Sequence, residues 1–156
     1  DYLDCQPALL RGYHRTFCVY SVHYRGTEKK PGVVLGLDRG GSCRGRAYRI
    51  AANAGKAVLN YLHEREMITG VYKPRWVKVA VPGRRVTAAT YLVDHGHGQY
   101  TGKLSDRAAA RLIRQGHGRS GSNLEYLENT VRHLDELGIA DCPMHRLLRH
   151  IHGQRR

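Results

Sequence analysis

Residues 71–94 read VYKPRWVKVAVPGRRVTAATYLVD. β-Branched and aromatic residues fill 71–81 and 86–94, and Pro82-Gly83 supplies the reversal between them, so two strands are expected here. The same signals recur upstream. Residues 14–23 (HRTFCVYSVH) have strand composition, and residues 32–38 (GVVLGLD) form a short apolar run. That run is bounded by Pro31 and by Arg39-Gly40-Gly41-Ser42, which reads as a turn, and residues 43–50 alternate around Ala47, Tyr48 and Ile50. A helix is expected from about Asn53, an N-cap residue type, to just before Gly70.

Downstream of residue 94 the apolar period changes from two to that of a helix. Ser105 is placed to cap a helix carrying Ala109, Leu112 and Ile113 on one side. Ser122 and Glu125 form an S-x-x-E capping box ahead of Leu124, Leu127, Val131, Leu134 and Leu137, with Gly138 as the stop. Met144, Leu147, Leu148 and Ile151 make a last amphipathic turn or two. With no repeat and no low-complexity linker, residues 1–156 read as one α+β domain.

Composition narrows the function classes. The 156 residues are 41% hydrophobic and 25% charged, which excludes a disordered tail or a collagen-like fibre. No stretch approaches the ~20 apolar residues of a membrane span, and no signal-peptide pattern opens the sequence. Cys5, Cys18, Cys43 and Cys142 include no CxxC pair and read as free thiols in a reducing cytoplasm. The 26 Lys and Arg against 13 Asp and Glu give a net charge of +13, a field that attracts nucleic acid, acidic membranes or anionic small molecules. The basic dipeptides Lys29-Lys30, Arg84-Arg85 and Arg155-Arg156 are scattered without interleaved aromatics. They read as solvated faces, with a basic nucleic-acid-binding module as the alternative.

The helix before Gly70 carries the residue that chemistry would notice first. Leu59, Leu62 and Glu66 stand at i, i+3 and i+7, so the carboxylate of Glu66 falls on the apolar stripe while Glu64 points away. An acid at a helix C-terminus also opposes the macrodipole, at a cost of about 0.3–1 kcal/mol. Half-desolvated beside a sheet, Glu66 would have a raised pKa and serve as a general base. Alternatively the helix end frays and Glu66 faces water.

Gly116-His117-Gly118-Arg119-Ser120-Gly121 spells GxGxxG, but a helix precedes it where the dinucleotide fingerprint needs a strand. What remains is either a glycine-rich loop whose amides hold an anion or a plain helix–helix turn. His95-x-His97 and His145, His150 and His152 lack Cys or carboxylate partners at zinc-ligand spacing. His63-Glu64 opens like HExxH, but Met67 occupies the second histidine's place. No GxSxG elbow exists for a serine nucleophile.

Taken in order, several stretches resemble the ChaC-like γ-glutamylcyclotransferases, the glutathione-specific branch of that superfamily. They are Pro7-Ala8-Leu9-Leu10-Arg11-Gly12-Tyr13, Arg15-Thr16-Phe17, Arg25-Gly26-Thr27 with Lys30-Pro31-Gly32, and Gly45-Arg46-Ala47-Tyr48-Arg49. Tyr61-Leu62-His63-Glu64-Arg65-Glu66 looks like the family's Y-L-x-x-R-E, whose last glutamate is catalytic. Gln99-Tyr100-Thr101-Gly102 and Gly118-Arg119-Ser120-Gly121-Ser122-Asn123-Leu124-Glu125-Tyr126-Leu127 look like its Y-x-G and G-x-S-G-x-N-x-E-Y-L stretches.

The resemblance implies a mixed, barrel-like β-sheet with peripheral helices, and a cytoplasmic lyase that cleaves glutathione to 5-oxoproline and cysteinylglycine. It implies no metal and no organic cofactor, Glu66 as general acid/base, and Tyr126, Tyr72 and Ser120 on the substrate. The family's Y-G-S-L substrate loop does not occur here. It would precede Asp1-Tyr2-Leu3, so a first strand and this loop are expected upstream of residue 1. If the loop was lost instead, an inactive family member serving as a binding or regulatory protein is the second reading.

Overall fold

The computed structural model describes residues 1–153; Arg155-Arg156 lies outside them. The elements are β1 (Asp4–Ser21), β2 (Gly32–Arg49), α1 (Gly55–Glu66), β3 (Tyr72–Val81), β4 (Arg84–Val93), α2 (Asp106–Gln115), β5 (His117–Gly118), β6 (Gly121–Ser122), α3 (Asn123–Glu136) and α4 (Cys142–Gly153). This is the α+β class expected. Four strands form one sheet in the order β2-β1-β3-β4, and β3 pairs antiparallel with both β1 and β4. The barrel-like sheet expected is not formed. Closure requires the edge strands to bond to each other, whereas β2 and β4 stand at the two ends of the order.

Two compact units divide the chain. The first comprises Asp1–Arg15 and Leu37–His97. In it, alternation along β3 and β4 sends Val77, Val79, Val81, Val86 and Ala88 to one face, where they pack with Leu10, Ala8 and Leu37. Residues between them, among them Trp76, Lys78, Thr87 and Ala89, are exposed. The sheet is thus dry on one face and wet on the other, as antiparallel sheets commonly are.

Arg39-Gly40-Gly41-Ser42 is not a turn: β2 runs straight through it. Gly40 and Gly41 take φ of 99° and 64°, a left-handed pair that bends the strand without ending it. The Gly40 carbonyl stays 3.0 Å from Nδ1 of His14 on β1. Helix α1 also starts later than its sequence suggests. Ala54, not Asn53, is the N-cap, with no side-chain cap bond, and no α1 residue is fully buried.

The second unit comprises Thr16–Gly36 and the chain from Gly98 onward. Here the helical reading holds. Ser105 Oγ accepts from Ala108 N–H at 3.1 Å, and Ser122 Oγ from Glu125 N–H at 3.1 Å. Ala109, Leu112 and Ile113 of α2, Leu127, Val131 and Leu134 of α3, and Met144, Leu147 and Ile151 of α4 bury together over Phe17 and Val33. At about 1.5–3 kcal/mol for each large aliphatic removed from water, this cluster is the main source of the unit's stability. The Gln99-Tyr100-Thr101 stretch docks along β1, with Tyr20 N–H on Gln99 O at 2.8 Å and Thr101 N–H on Cys18 O at 2.9 Å. None of the described helices is long and apolar enough to cross a membrane.

Candidate functional site

Glu66 is the last residue of α1, half-buried, with Glu64 exposed. The helix closes there through Met67 N–H on His63 O at 2.9 Å. The carboxylate sits close enough to Tyr91 of β4 to act on it. The Tyr91 phenol is pushed above its ordinary range first by burial and then by the negative charge of Glu66. Register adds Tyr72 to this neighbourhood. Tyr72 faces Val93 and Pro74 faces Tyr91 across the β3–β4 ladder, so Tyr72 and Tyr91 share one sheet face as diagonal neighbours. Tyr91 was not singled out from sequence; only the β3–β4 register reveals it. Just beyond, Gly96 N–H and Lys73 Nζ reach the Asp94 carboxylate at 2.9 and 3.2 Å and hold its pKa down, the backbone amide most of all.

Tyr126 and Ser120 belong to the second unit. The Tyr126 ring is half-buried, edge-on to Phe17 at 5.9 Å, and its hydroxyl accepts from Leu35 N–H at 3.4 Å. The Arg25 guanidinium lies 5.4 Å from the same ring, donates to Ser122 O at 3.1 Å and stands 3.6 Å from Glu125. Arg25 therefore orients Tyr126 and the start of α3 together, a role its place in an R-G-T triplet did not disclose. Asn123, buried, clamps Val33 by accepting its N–H at 2.7 Å and donating to its carbonyl at 2.8 Å.

The glycine-rich stretch is neither a free anion nest nor a plain helix–helix turn. It folds as the β5–β6 hairpin, with His117 facing Ser122 and Gly118 facing Gly121. Arg119 N–H bonds His23 O at 2.8 Å, Ser120 N–H bonds Tyr24 O at 2.9 Å, and Asn123 N–H bonds Gly116 O at 2.9 Å, so these amides are committed. Its glycines answer to close approach. A Cβ on Gly116 would lie 2.4 Å from Arg25 O, and one on Gly118 would lie 2.4 Å from His23 O. The Ser120 side chain remains exposed.

Three of the clustered histidines meet carboxylates. His95 bonds Asp38 at 2.5 Å, His145 bonds Asp135 at 2.6 Å, and His152 bonds Glu128 at 3.1 Å. Among the described residues no three His, Cys, Asp or Glu side chains are grouped to hold a metal ion. A cavity of about 350 Å³ is lined by Asp135, Asp141, Cys142, His145 and Arg149, none of which is among the expected catalytic and substrate residues Glu66, Tyr72, Ser120 and Tyr126. In it His145 also reaches Asp141 O at 2.7 Å, and these acceptors raise its pKa, the Asp141 carbonyl first and Asp135 next. It is a staple between α3 and α4. None of the four cysteines forms a disulfide; Cys18 is buried and Cys142 exposed.

With a four-stranded antiparallel sheet and four helices among the described residues, the chain has an α+β fold that also occurs in solved cyclotransferase structures. A yeast γ-glutamylcyclotransferase specific to glutathione superposes with a TM-score of 0.86 over 97% of this chain and 89% of its own, at 21% identity. The ChaC-like protein family model matches residues 1–154, and the chain belongs to that family. Glutathione-specific γ-glutamylcyclotransferase of Escherichia coli K12 is 36% identical over 95% of this chain. Glutathione-specific γ-glutamylcyclotransferase 1 of Homo sapiens is 33% identical over 81% of it. The chain spans 64% of the length of the first and 59% of the second.

Proposed function

We propose that the protein carrying this chain is a glutathione-specific γ-glutamylcyclotransferase, a cytoplasmic lyase releasing 5-oxoproline and cysteinylglycine, with Glu66 as its proton carrier. Family membership and the relatives' names support the activity. One observation carries the residue assignment: the Y-L-x-x-R-E block ends on a half-buried carboxylate whose charge reaches the Tyr91 phenol, while Glu64 is exposed.

Starting from the free α-amine of glutathione, its nitrogen attacks the γ-carbonyl carbon. A five-membered lactam closes and the bond to the cysteinyl nitrogen breaks. The amine sheds one proton and the leaving nitrogen gains one, so a single carboxylate can carry it with no net change. Ring closure is intramolecular, so most of the enzyme's task is to fix the reactive conformer and stabilise the oxyanion. In this proposal Tyr72, Tyr126 and Ser120 contact the substrate. A Y-G-S-L loop upstream of Asp1 grips the γ-glutamyl group. No metal takes part.

The test supplies glutathione to the protein with any natural segment before Asp1 restored, and follows 5-oxoproline and cysteinylglycine by mass spectrometry. Both products are expected at equal amounts, with and without chelator, and γ-glutamylalanine should be a poorer substrate. Absence of 5-oxoproline, or its loss in chelator, would overturn the proposal.

A further inference from the structure

The wet face of the first unit's sheet joins residues far apart in sequence. Trp76 faces Ala89, Lys78 faces Thr87, and Arg85 faces Ala80 across the β3–β4 ladder. Leu9 of β1 faces Ala80 from the other side, and Arg11 follows it two residues on. All four of Arg11, Trp76, Lys78 and Arg85 are exposed, the indole 67% so. The small residue opposite Trp76 leaves the ring open above the sheet, and Lys78 Nζ lies 2.7 Å from Thr87 Oγ1, spread across the ladder. No Asp or Glu occurs between residues 67 and 93, so no carboxylate from this hairpin neutralises the patch.

We propose that this face, with Trp76 as a stacking plate and Arg11, Lys78 and Arg85 as phosphate contacts, binds single-stranded nucleic acid. An open sheet with an exposed aromatic among cations is a standard platform for unpaired bases: the ring takes the base and the cations follow the backbone. An acidic peptide would satisfy the cations but leave the indole without a planar partner. A membrane surface would call for protruding aliphatic side chains beside the indole, and its neighbours on this face are Ala89, Pro74, Lys78, Thr87 and Tyr91. The proposal does not rest on the cyclotransferase reading, although Tyr72 and Tyr91 stand on the same face of the β3–β4 ladder.

Trp76 is the only tryptophan in the chain, so its fluorescence reports this face alone. A fluorescein-labelled 12-nucleotide oligouridylate is titrated into the protein, reading anisotropy, and an unlabelled one is titrated reading tryptophan emission. Binding should quench the emission, and three phosphate contacts should give log K against log salt a slope of about −2. Trp76→Ala should weaken binding about tenfold or more, Trp76→Phe should recover most of it, and Lys78→Gln with Arg85→Gln should flatten the salt slope. Overturning results are an unquenched indole, equal affinity in Trp76→Ala, equal binding of a 12-base-pair duplex, or quenching only by phosphatidylserine vesicles.

Discussion

Asn123→Ala is the substitution whose cost can be worked most directly from the structure. The Asn123 amide completes both hydrogen bonds of the Val33 peptide, at 2.7 and 2.8 Å, and both residues are 0% exposed. Alanine would strand a buried N–H and a buried carbonyl at once. Each unpaired group costs about 1–3 kcal/mol, so the sum is about 2–6 kcal/mol. At about 2–4 °C per kcal/mol for a domain of this size, the central value corresponds to a fall in Tm of roughly 8–16 °C. Asn123→Asp retains an acceptor for Val33 N–H but loses the donor to Val33 O, and should stay destabilised at neutral pH. Thermal unfolding by circular dichroism reads both variants. Tyr126 lies one turn along α3 from Asn123, and its hydroxyl meets Leu35 two residues beyond Val33. The alanine variant should therefore also raise KM for glutathione below its own Tm. A Tm within about 2 °C of the parent would show that Val33 finds other partners and that the clamp is not structural.

Gly116→Ala should fail to fold or melt far lower, because its Cβ would meet the Arg25 carbonyl and the Gly32 Cα at 2.4 and 2.8 Å, while Gly55→Ala meets nothing and should be silent or stabilising. Equal melting of the two would refute the close-packing account of the hairpin. His145 has its pKa raised above the ordinary 6.5, so its staple is fully present below that pH and fades as pH rises through the folded-state value. The Tm deficit of His145→Ala should accordingly be largest near pH 5.5 and shrink by pH 9, and a pH-independent deficit would contradict it. Glu66→Gln should lower the Tyr91 pKa by removing a negative charge, leaving the part due to burial. Phenolate absorbance, assigned with Tyr91→Phe, reads the shift, and an unmoved midpoint would place Glu66 away from Tyr91.

What the sequence disclosed and what it withheld follow from the range of the interactions. Ser105 and Ser122 announce α2 and α3 because caps are local, and both cap bonds are present. The alternation of residues 71–94 announces β3 and β4 for the same reason. Gly40-Gly41 misled because a left-handed glycine pair serves a turn and a bulge equally; only the neighbouring β1 decides that β2 continues. GxGxxG at 116–121 showed where glycine is required but not why, since the reason is the backbone of residues 23–25 and 32 pressed against it. The half-burial of Glu66 was one of the two readings that its place on the Leu59–Leu62 stripe near a helix end left open. Tyr91 and the assembly of Arg11, Trp76, Lys78 and Arg85 were not, because strand register, unlike helical period, is set by partners distant in sequence.

The most direct measurement of the central claim compares Glu66→Gln with Glu64→Gln in glutathione turnover, with any natural segment before Asp1 restored. Glutamine keeps the shape of Glu66 and its capacity to hydrogen-bond, but cannot take up a proton. For Glu66→Gln, kcat should fall by about 10²–10⁴ with substrate affinity little changed. Its Tm should hold or rise slightly, since an acid at the helix C-terminus has been removed. Glu64→Gln, on the exposed side of the same helix end, should retain parental turnover. Equal turnover in the two variants would make Glu66 an ordinary helix-end residue and contradict its role as the proton carrier.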